Sequence, residues 1–528
     1  MQDKSIISAQ GAARLVQDGW TLTTGGFGSC GHPDVLTRAL AARFEQEAAP
    51  RDLTLVFAAG QGDKAERGLN CLARDGLLKR AIGGYWALTP SLGRMAGDGR
   101  LAAYNWPQGV ISHLFRAIAG GKPGVVSQVG IGTFIDPRRE GGKLGPAADE
   151  DLIEVIELGG REQLFYPAMP IQCAFLRGTR ADRHGNITME AEANFQDSLA
   201  QAQAVHNSGG IVIVQVLDVV EAGTLFPHEV RIPGILVDHL VLATEEEHWQ
   251  TYAERYNPAY SGMWSPIRRS AEAFPLSAKK IIARRAFREA RAGCATGNPV
   301  INLGIGTPEY IARVAAEEGD ERLTLTIESG VIGGIPASGL SFGAARNPQA
   351  ILDQPSQFDF YDGGGIDLAF LGCGEVDGAG DVNISKLRGR INGVGGFVNI
   401  SQASKKVVFC MPFTVGGLEI AVEGGALRIV REGSIRKFVD RVGQVSFNAE
   451  RSRTLGQRIM YITERAVFEL DDEGLLLTEV ARGIDIERDI LAHSGARIRV
   501  SARLKPMPLA LLLERPMAAT DAFAEYST

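Results

Sequence analysis

Short runs of β-branched and other apolar residues alternate along the chain with segments of helical period. The apolar runs are LTLVF (53–57), GIVIVQV (210–216), LTLTI (323–327) and KVVFCM (406–411), and a helical pattern occupies PDVLTRALAARF (33–44). Continuous apolar strands separated by helices are typical of parallel sheets, because helices cover both faces of such a sheet. The pattern therefore predicts an α/β fold with open, mainly parallel sheets.

Three blocks of the first half recur in the same order in the second half. A glycine loop leading into a helix occurs in TTGGFGSCGHPDVLTRAL (23–40) and in NLGIGTPEYIARVA (302–315). LTLVFAAG (53–60) aligns without a gap with LTLTIESG (323–330). LRGTRADRHGNIT (176–188) aligns with LGCGEVDGAGDVN (371–383), which pairs Asp182 with Asp377 and Gly185 with Gly380. Two copies of one α/β domain are the simplest explanation, with extra sequence in the first copy at about residues 61–175.

A polar segment between the two halves has neither helical nor strand period. It reads EEEHWQTYAERYNPAYSGMWSP (245–266) and contains two prolines. Such a segment is typical of a linker between domains. We therefore predict an N-terminal α/β domain over residues 1–245, a linker over 246–276 and a C-terminal α/β domain over 277–528 that carries the nucleophile described below.

Composition and charge narrow the class of protein. Of 528 residues, 45% are apolar and 22% charged, as in ordinary globular proteins. The net charge is 55 − 62 = −7 without a basic block, which argues against nucleic acid or a membrane surface as partner. The six cysteines form no CxxC pair, and neither an apolar leader nor a long apolar stretch occurs, so we expect a cytoplasmic protein. The eight histidines show no metal-ligand spacing, and no metal site is expected.

One carboxylate distinguishes the two copies. In the aligned second blocks, Glu328 of the second copy lies opposite Ala58 of the first, so the fold does not require an acid there. Glu328 follows an apolar strand and precedes a run with three glycines and no charge. The end of a strand is where open α/β sheets bind ligands, and partial desolvation makes a carboxylate a better nucleophile. A glutamate that only caps a helix or pairs with an arginine is the alternative.

The motifs around this residue resemble those of the family I CoA-transferases. The resemblance rests on TIESGVIGG, DGWTLTTGGFGSCGHP, GNITMEAEAN and RINGVGGFVNIS, and it extends to PQGVISHLFRAIAGG, GIGTFIDP and YITERAVFELDDEGLLLTEVARGID. Within the family the chain is most similar to single-chain acetate and propionate CoA-transferases. The resemblance implies two related open α/β domains of the CoA-transferase type. It also implies a ping-pong transfer of CoA between a short-chain acyl-CoA (acetyl, propionyl, butyryl or acetoacetyl) and a free carboxylate.

The resemblance assigns roles to particular residues. Glu328 matches the glutamate that attacks the thioester, forming an acyl-glutamyl anhydride and then a glutamyl-CoA thioester. Gln108 and Gly396 match the donors to the developing oxyanion, a kind of stabilisation that is commonly a large contribution to catalysis. Coenzyme A is then a substrate, with no permanently bound cofactor, and a homodimer or homotetramer is implied. We also expect substrate or CoA contacts at Gly26, Gly28, Gly304, Gly306, Val331 and Gly395.

Two departures from the family pattern concern specificity. Glu328-Ser329-Gly330 stands where the succinyl-CoA:3-oxoacid branch has Glu-Asn-Gly, and Leu22-Thr23-Thr24 where three apolar residues are usual. The first departure resembles the acetate and propionate branch, so oxoacid specificity is not expected. The apolar neighbours Val331 and Ile332 favour short, uncharged acyl groups.

The second glycine loop also suggests an anion site. In NLGIGTPEY, Thr307 is predicted to cap a helix that begins at Pro308, leaving free N–H groups beside Gly304 and Gly306. Such a helix start suits a carboxylate or a CoA phosphate. Glycines that serve only the turn are an equally good interpretation.

Other functions are compatible with parts of the sequence. Residues 26–31 satisfy GxGxxG, but LTLVFAAG offers no acidic residue for a dinucleotide ribose, which disfavours a dehydrogenase. Residues 339–343 satisfy GxSxG around Ser341, with His493 after it, but no strand precedes the serine. Cys373 is interpreted as a small residue in a tight turn. A thioesterase that uses Glu328 and a ligand-binding protein without catalysis remain as alternatives.

Overall fold

The computed structural model describes residues 2–263, 274–293, 297–320 and 322–517, which divide into two compact units. Unit 1 comprises Met1–Ser265, Ile327–Asp362 and Ser385–Asn399. Unit 2 comprises Pro266–Thr326, Gly363–Ile384 and Ile400–Thr528. The units therefore do not follow the chain order, since two later segments belong to unit 1. The described part of the predicted linker, residues 246–263, lies in unit 1, where Thr251, Tyr252 and Tyr260 are buried. The bounds 1–245, 246–276 and 277–528 were predicted from the internal repeat of the sequence, and they stay a prediction.

Unit 1 is built on an all-parallel sheet, as the apolar runs predict. Its strands occur in the order Ser5–Ile6, His239–Leu242, Ile211–Val216, Cys173–Arg177, Thr21–Thr24, Leu53–Phe57, Leu78–Gly83 and Ala102–Asn105. The helices of this unit include Ala9–Leu15, Asp34–Glu47, Pro90–Gly97, Gln108–Ala119, Ser198–Asn207 and Gln354–Asp362.

Smaller sheets and short antiparallel strand pairs complete unit 1. They are Asp218–Val220 with Arg180–Asp182, Ile187–Thr188 and Val230–Ile232; Gly124–Ser127 with Arg161–Pro167 and Glu154–Leu158; and the antiparallel pairs Val331–Ile332 with Ala350–Ile351, Ile335–Pro336 with Ala345–Arg346, and Lys386–Leu387 with Arg390–Ile391. Short 3₁₀ turns lie at Leu69–Leu72, Gly234–Leu236, Glu245–Glu247, Pro258–Tyr260 and Gly339–Ser341.

Unit 2 contains a mixed sheet. Its strands occur in the order Thr324–Thr326, Val300–Leu303, Leu368–Gly372, Lys406–Cys410, Arg458–Ile462, Ala466–Asp471, Gly474–Val480 and Arg499–Pro506, of which the first five pair in parallel. Antiparallel pairs are Glu375–Val376 with Val382–Asn383, Thr414–Val415 with Ile435–Arg436, and Glu419–Glu423 with Ala426–Arg431. The helices are Ala278–Gly293, Glu309–Glu317, Phe397–Ala403, which begins in unit 1, Ala449–Thr454 and Ile486–Asp489, with 3₁₀ turns at Leu491–His493 and Leu509–Leu512.

The strand orders of the two units bear out the internal repeat. In unit 1 the strands that begin at Leu53, Thr21, Cys173, Ile211 and His239 are neighbours in that order. In unit 2 the same order is followed by the strands that begin at Thr324, Val300, Leu368, Lys406 and Arg458. The first four matches of the two series are those predicted from the aligned sequence blocks and the apolar runs that follow them. The extra sequence at residues 61–175 adds the strands Leu78–Gly83 and Ala102–Asn105 at one side of the first sheet.

The aligned aspartates and glycines shape the same turn in each unit. The N–H of Asn186 donates to Asp182 Oδ1 at 3.0 Å, and Gly185 has a φ of 82°. In unit 2 the N–H of Asp381 donates to Asp377 Oδ1 at 3.1 Å, and Gly380 has a φ of 92°. A carboxylate that accepts main-chain hydrogen bonds and a glycine with positive φ are the usual components of a tight turn. The pairing seen in the sequence therefore has a conformational cause.

No helix among the described residues is long and apolar enough to cross a membrane.

Candidate active site

The carboxyl ends of four neighbouring strands of unit 1 meet at one edge of its parallel sheet. These strands end at Thr24, Phe57, Gly83 and Asn105, and a loop or a helix follows each of them. Ligands of open α/β sheets bind at this edge. Gly26, Gly28, Ala58 and Gln108 lie one to four residues after three of these strand ends, Thr24, Phe57 and Asn105.

Gln108 and Gly395 are joined through the main chain. Gln108 is the first residue of the helix Gln108–Ala119, and its N–H donates to the carbonyl oxygen of Gly395 at 3.0 Å. The N–H of Gly395 donates in turn to the carbonyl oxygen of Gly84 at 2.8 Å. A Cβ built on Gly395, whose φ is 54°, would lie 3.4 Å from Gln108 Oε1. Gln108, Gly395 and the buried Gly396 that follows are therefore close together, and the oxyanion role that the resemblance implies for Gln108 and Gly396 stays a prediction.

Gly84 makes this approach possible. A Cβ at Gly84 would lie 2.2 Å from the carbonyl oxygen of Ala58 and 3.1 Å from the Cα of Gln108. A side chain at this position would therefore push apart the end of the strand Leu53–Phe57 and the start of the Gln108 helix. The tight packing brings Ala58, the counterpart of Glu328 in the repeat, next to Gln108.

Glu328 lies in a tight turn. The N–H of Gly330 donates to the carbonyl oxygen of Ile327 at 3.1 Å. The N–H of Ile327 donates to the carbonyl oxygen of Val331 at 2.9 Å. Gly330 has a φ of +103°, and a Cβ there would lie 2.1 Å from the carbonyl oxygen of Leu352. Glu328 itself is partly buried, and its Oε2 atom is inaccessible to solvent. The turn therefore holds a partly desolvated carboxylate in a defined place.

The neighbours of Glu328 pack against the loops at the sheet edge. Ile327 and Val331 belong to one buried apolar cluster with Phe27, Ala59, Phe342 and Ala345. Phe27 comes from the first glycine loop, and Ala59 follows the strand Leu53–Phe57. The residues on both sides of the Glu328 turn therefore pack against two loops of the sheet edge at which Gln108 also lies. Val331 is 1% exposed, so its side chain packs within the cluster.

Ser329 anchors the residue after the candidate nucleophile. It is fully buried, and its Oγ donates to the carbonyl oxygen of Gly343 at 2.7 Å. Asn194 Nδ2 donates to the same oxygen at 3.1 Å. A Cβ on Gly343 would lie 2.5 Å from the ring of Phe27, so the position excludes larger residues. The block GNITMEAEAN therefore supports the Glu328 turn through Asn194, although the motif alone gave no signal for this contact.

The GxSxG segment does not form a nucleophile elbow. Gly339–Ser341 is a short 3₁₀ turn, and Ser341 Oγ lies 2.9 Å from Thr251 Oγ1. The turn replaces the strand-to-helix junction that the serine-hydrolase motif requires. Cys373 is buried, and burial raises the pKa of its thiol to about 12, which disfavours the reactive thiolate.

The first glycine loop has the close packing that its sequence suggests. Gly26 has a φ of +129°, and a Cβ there would lie 3.0 Å from Gln61 Cδ. Gly28 has a φ of +61°, and its carbonyl oxygen accepts from the N–H of Gly62 at 3.1 Å. Both glycines thus lie at the sheet edge in conformations that favour glycine, and their contact with a substrate stays a prediction.

The second glycine loop differs from its prediction. The helix begins at Glu309 and not at Pro308, and it has no side-chain cap. The N–H of Gly304 donates to the carbonyl oxygen of Phe370 at 2.8 Å, and that of Gly306 donates to Glu309 Oε1 at 2.9 Å. The prediction of free N–H groups was therefore wrong, because strand pairing and the glutamate of the first turn occupy them. Both glycines belong to unit 2, and their role in binding CoA stays a prediction.

A buried chain of side-chain amides extends from Gln108. Gln108 Nε2 donates to Gln354 Oε1 at 3.3 Å, and Gln354 Nε2 donates to Asp197 Oδ2 at 2.8 Å and to Ser112 Oγ at 2.7 Å. All four residues are at most 3% exposed. The helix that begins at Gln108 packs against those that begin at Ser198 and Gln354, which brings these residues together. Sequence motifs gave no signal for Gln354 or Asp197, because these contacts join distant parts of the chain.

A second polar chain fixes the residue after Gln108. The N–H of Gly109 donates to Asn399 Oδ1 at 3.2 Å, and Asn399 Nδ2 donates to both carboxylate oxygens of Asp362 at 2.9 and 3.0 Å. Burial raises the pKa of Asp362 to about 7. Burial also raises the pKa of Asp197 to about 7, with a further contribution from the charge of Asp353. Two acids with raised pKa values thus lie behind the first turn of the Gln108 helix.

No group of histidine, cysteine and acidic residues that could hold a metal ion occurs within the described residues. The cysteines at 30, 71, 173, 373 and 410 are free thiols, and Cys294 lies outside the described residues.

Known proteins are similar to this chain in sequence and in fold. The family model described as Coenzyme A transferase matches residues 6–243. Acetate CoA-transferase YdiF of Escherichia coli (strain K12) is 41% identical over 515 residues, which cover 97% of this chain and 96% of the relative. Caffeate CoA-transferase of Acetobacterium woodii is 41% identical over 517 residues, with 97% and 98% covered. The crystal structure of the acyl-CoA transferase YdiF from Escherichia coli O157:H7, in a thioester complex with CoA, matches with a TM-score of 0.92 at 40% identity and covers 98% of this chain and 97% of that one.

These relatives decide between the functions that the sequence left open. The matched regions cover 97% of the chain, so they extend over both units. They favour group transfer over hydrolysis or simple ligand binding. The chain belongs to the CoA-transferase family and is a CoA-transferase.

Proposed function

We propose that Glu328 is the covalent nucleophile of this transferase. Its carboxylate attacks the carbonyl carbon of an acyl-CoA thioester, and the C–S bond breaks to give an acyl-glutamyl anhydride and CoA thiolate. The thiolate then attacks the γ-carbonyl carbon of Glu328, which releases the free acid and leaves a glutamyl-CoA thioester. An acceptor carboxylate reverses these two steps and departs as the new acyl-CoA. The reaction is ping-pong, and coenzyme A takes part only as a substrate.

The observation that carries this proposal is the placement of Glu328 in a glycine-rich turn packed against the binding edge of unit 1. Residues on both sides of it are buried with Phe27 and Ala59. Partial burial weakens the hydration of the carboxylate and so favours attack on an acyl carbon. The thioester complex with CoA described for the YdiF relative is the kind of intermediate that this chemistry forms.

Gln108 and Gly396 are the proposed oxyanion donors. Attack on a thioester places negative charge on the former carbonyl oxygen, and preorganised N–H groups stabilise that charge. The contact of Gln108 with Gly395, next to Gly396, supports a shared role for the side-chain amide of Gln108 and the main-chain N–H of Gly396. One such donor contributes about a hundredfold or more to the rate.

The proposed substrates are short-chain acyl-CoAs and small carboxylic acids. The names of the two relatives specify acetate for one and caffeate for the other, at the same identity of 41%. The names of the relatives therefore do not decide the size of the acyl group. Our proposal of a small acyl group is supported instead by the Glu328-Ser329-Gly330 sequence and by its apolar surroundings. A cytoplasmic homodimer or homotetramer is the form that we expect, and native mass measurement tests the number of chains.

An adduct experiment tests the proposed chemistry. The protein is incubated with acetyl-CoA without acceptor, and its intact mass and peptide map are measured. We expect the mass to rise by one CoA, located on the peptide that contains Glu328, and the adduct to be discharged by propionate with formation of propionyl-CoA. Glu328→Gln abolishes both the adduct and the transfer. The matched control is Glu229→Gln, which changes an exposed glutamate of the same unit.

Other outcomes would contradict the proposal. An unchanged mass with accumulation of free CoA and acetate would indicate hydrolysis. An adduct that persists in Glu328→Gln would place the nucleophile elsewhere.

A further inference from the structure

The side chain of Gln354 connects the proposed oxyanion donor to a buried acid. Its Oε1 accepts from Gln108 Nε2 at 3.3 Å, while its Nε2 donates to Asp197 Oδ2 at 2.8 Å. Gln354 is fully buried, and its main-chain N–H donates to the carbonyl oxygen of Gln196 at 2.9 Å. Both its main chain and its side chain are therefore anchored to the segment that precedes the helix Ser198–Asn207.

The polarity of this chain follows from the chemistry of its members. At pH 8, above the pKa of about 7 to which burial raises Asp197, its carboxylate is mainly ionised and only accepts hydrogen bonds, so the amide end of Gln354 that faces it is the nitrogen. The side-chain oxygen of Gln354 then faces Gln108, so Gln108 must donate to it from its side-chain nitrogen. This contact uses one of the two N–H bonds of Gln108 Nε2 and leaves the other for an external acceptor. The carboxylate of Asp197 thereby determines, through Gln354, the orientation of the side-chain amide of Gln108.

Asp197 has no evident competing role in its helix. It is the N-cap of Ser198–Asn207, a position whose side chain usually accepts from the first turn, yet it makes no capping hydrogen bond. Its Oδ2 accepts from Gln354 instead. The helix therefore forgoes a common stabilising contact, and the carboxylate is directed at the amide chain.

We propose that Gln354, oriented by Asp197 and Ser112, is a positioning residue that presents the Gln108 amide N–H to the oxyanion. The inference rests on the proposed role of Gln108. Donors that are already aligned stabilise a transition state without reorganisation, so a loss of alignment lowers kcat more than it changes KM.

A double-mutant cycle tests this role. Gln354→Leu is expected to lower kcat and the single-turnover rate of CoA-adduct formation from acetyl-CoA by about tenfold to a hundredfold, with KM for acetyl-CoA changed by less than about twofold. In a Gln108→Ala background, Gln354→Leu is expected to produce little further loss, because its effect passes through Gln108. Gln357→Leu is the matched control. It removes a fully buried glutamine side chain of the same helix, for whose amide atoms no hydrogen-bond partner is found among the described residues, and it should leave the adduct rate within about twofold of wild type.

An exchange of polarity gives a second test that does not depend on loss of function alone. Gln354→Glu places a carboxylate next to Asp197, and the repulsion should lower the adduct rate at pH 8. Adding Asp197→Asn restores a complementary chain, because the introduced amide at position 197 can donate to the introduced carboxylate at position 354, which still accepts from Gln108. We expect the double variant to form the CoA adduct at least about tenfold faster than the Gln354→Glu single variant.

The outcomes separate this inference from the proposed function. If Gln108→Ala slows the adduct but Gln354→Leu does not, the positioning role is wrong and the oxyanion role stands. The positioning role is also wrong if Gln354→Leu costs as much in the Gln108→Ala background as in wild type, or if the polarity exchange recovers nothing in a folded double variant. If Gln108→Ala leaves the adduct rate unchanged, both the oxyanion role and the positioning role fall.

Discussion

Gln108 donates its main-chain N–H to the carbonyl oxygen of Gly395 at 3.0 Å, and this bond joins two segments that lie nearly 290 residues apart in the chain. One segment starts the helix Gln108–Ala119 and the other precedes the helix that begins at Phe397. The bond constrains the distance between the main chain of Gln108 and that of Gly395, the residue before Gly396. Substitutions that disturb this distance should therefore affect the chemistry before they affect binding.

Gly84→Ala is the most direct way to disturb it. The new methyl group would lie 2.2 Å from the carbonyl oxygen of Ala58 and 3.1 Å from the Cα of Gln108, so one of these segments must move. We expect kcat to fall by about tenfold or more, since a small misplacement of a catalytic group costs up to about a hundredfold. Steady-state kinetics with acetyl-CoA and propionate measure the effect. Gly97→Ala, at the end of the helix Pro90–Gly97 with nothing within 4 Å of the added methyl group, should leave kcat unchanged. Equal activity of the two variants would show that Gly84 does not control the position of Gln108.

Ser329→Ala tests the support of the nucleophile turn. The substitution removes the hydrogen bond from Ser329 Oγ to the carbonyl oxygen of Gly343, which Asn194 still satisfies. We expect the free energy of unfolding to fall by only about 0.5 to 1.5 kcal/mol in urea denaturation. The CoA adduct on Glu328 should form more slowly because the turn is less constrained. A Ser329→Ala variant with wild-type adduct kinetics would indicate that the turn is held by its main-chain contacts alone.

Arg177→Met should destabilise unit 1 strongly. Arg177 Nε donates to Glu192 Oε1 at 3.0 Å, both side chains are buried, and His248 Nε2 lies 3.2 Å from the same oxygen. Removing the arginine leaves a buried carboxylate without its main counter-charge, which costs about 3 to 5 kcal/mol. The control is Arg183→Met, which removes an exposed ion pair with Glu221 and should cost less than about 1 kcal/mol. A small effect of Arg177→Met in chemical denaturation would contradict this reading of the pair.

The same pair predicts a loss of stability in acid. Burial alone would raise the pKa of Glu192, but the charge of Arg177 and the hydrogen bond with His248 outweigh it and lower the pKa to about 2 from an ordinary 4.5. Below pH 4.5 the unfolded chain binds the proton more readily than the folded one, so this contribution decreases as the pH falls from about 4.5 to about 2. Urea unfolding of wild type and Glu192→Gln between pH 3 and pH 6 should show a shallower pH dependence in the variant. Parallel curves would contradict the prediction.

Asp362 should have the opposite effect at higher pH. Burial raises its pKa to about 7 from an ordinary 3.8, so the folded protein binds the proton more tightly and stability falls as the pH rises through that interval. The expected slope is up to about 1.4 kcal/mol per pH unit. Asp359 lies near and also raises the pKa, while His113, 3.8 Å from Asp362, has a pKa lowered by burial and contributes in the other direction below pH 6.5. Asp362→Asn should therefore gain stability relative to wild type from pH 5 to pH 8, and an unchanged difference across this range would exclude a raised pKa.

Much of the fold could be predicted because its signals are local. The apolar runs correspond to parallel strands, and the turn chemistry of Asp182 and Gly185 is repeated at Asp377 and Gly380. Glu328 could be singled out because the repeat supplies its own comparison, an alanine in the equivalent position.

The remaining features depend on contacts that periodicity does not encode. Gln354 and Asp197 are ordinary polar residues until three helices bring them to Gln108. Residues 327–362 follow a strand of unit 2 yet join unit 1, and an apolar pattern does not say which core a segment will enter. The blocked N–H of Gly306 had a local signal, the glutamate three residues later, which acts like the acidic member of a capping box.

The discontinuous path of unit 1 bears on how such a chain could be divided during evolution. A break between residues 263 and 274 would separate Gln108 from Glu328, although both belong to one compact unit. The first fragment would lack the segments 327–362 and 385–399 that belong to its own compact unit, and the second would carry those segments without the rest of that unit. Gene fission at this point would therefore produce two polypeptides that depend on each other to fold, and coexpression would be a condition for activity.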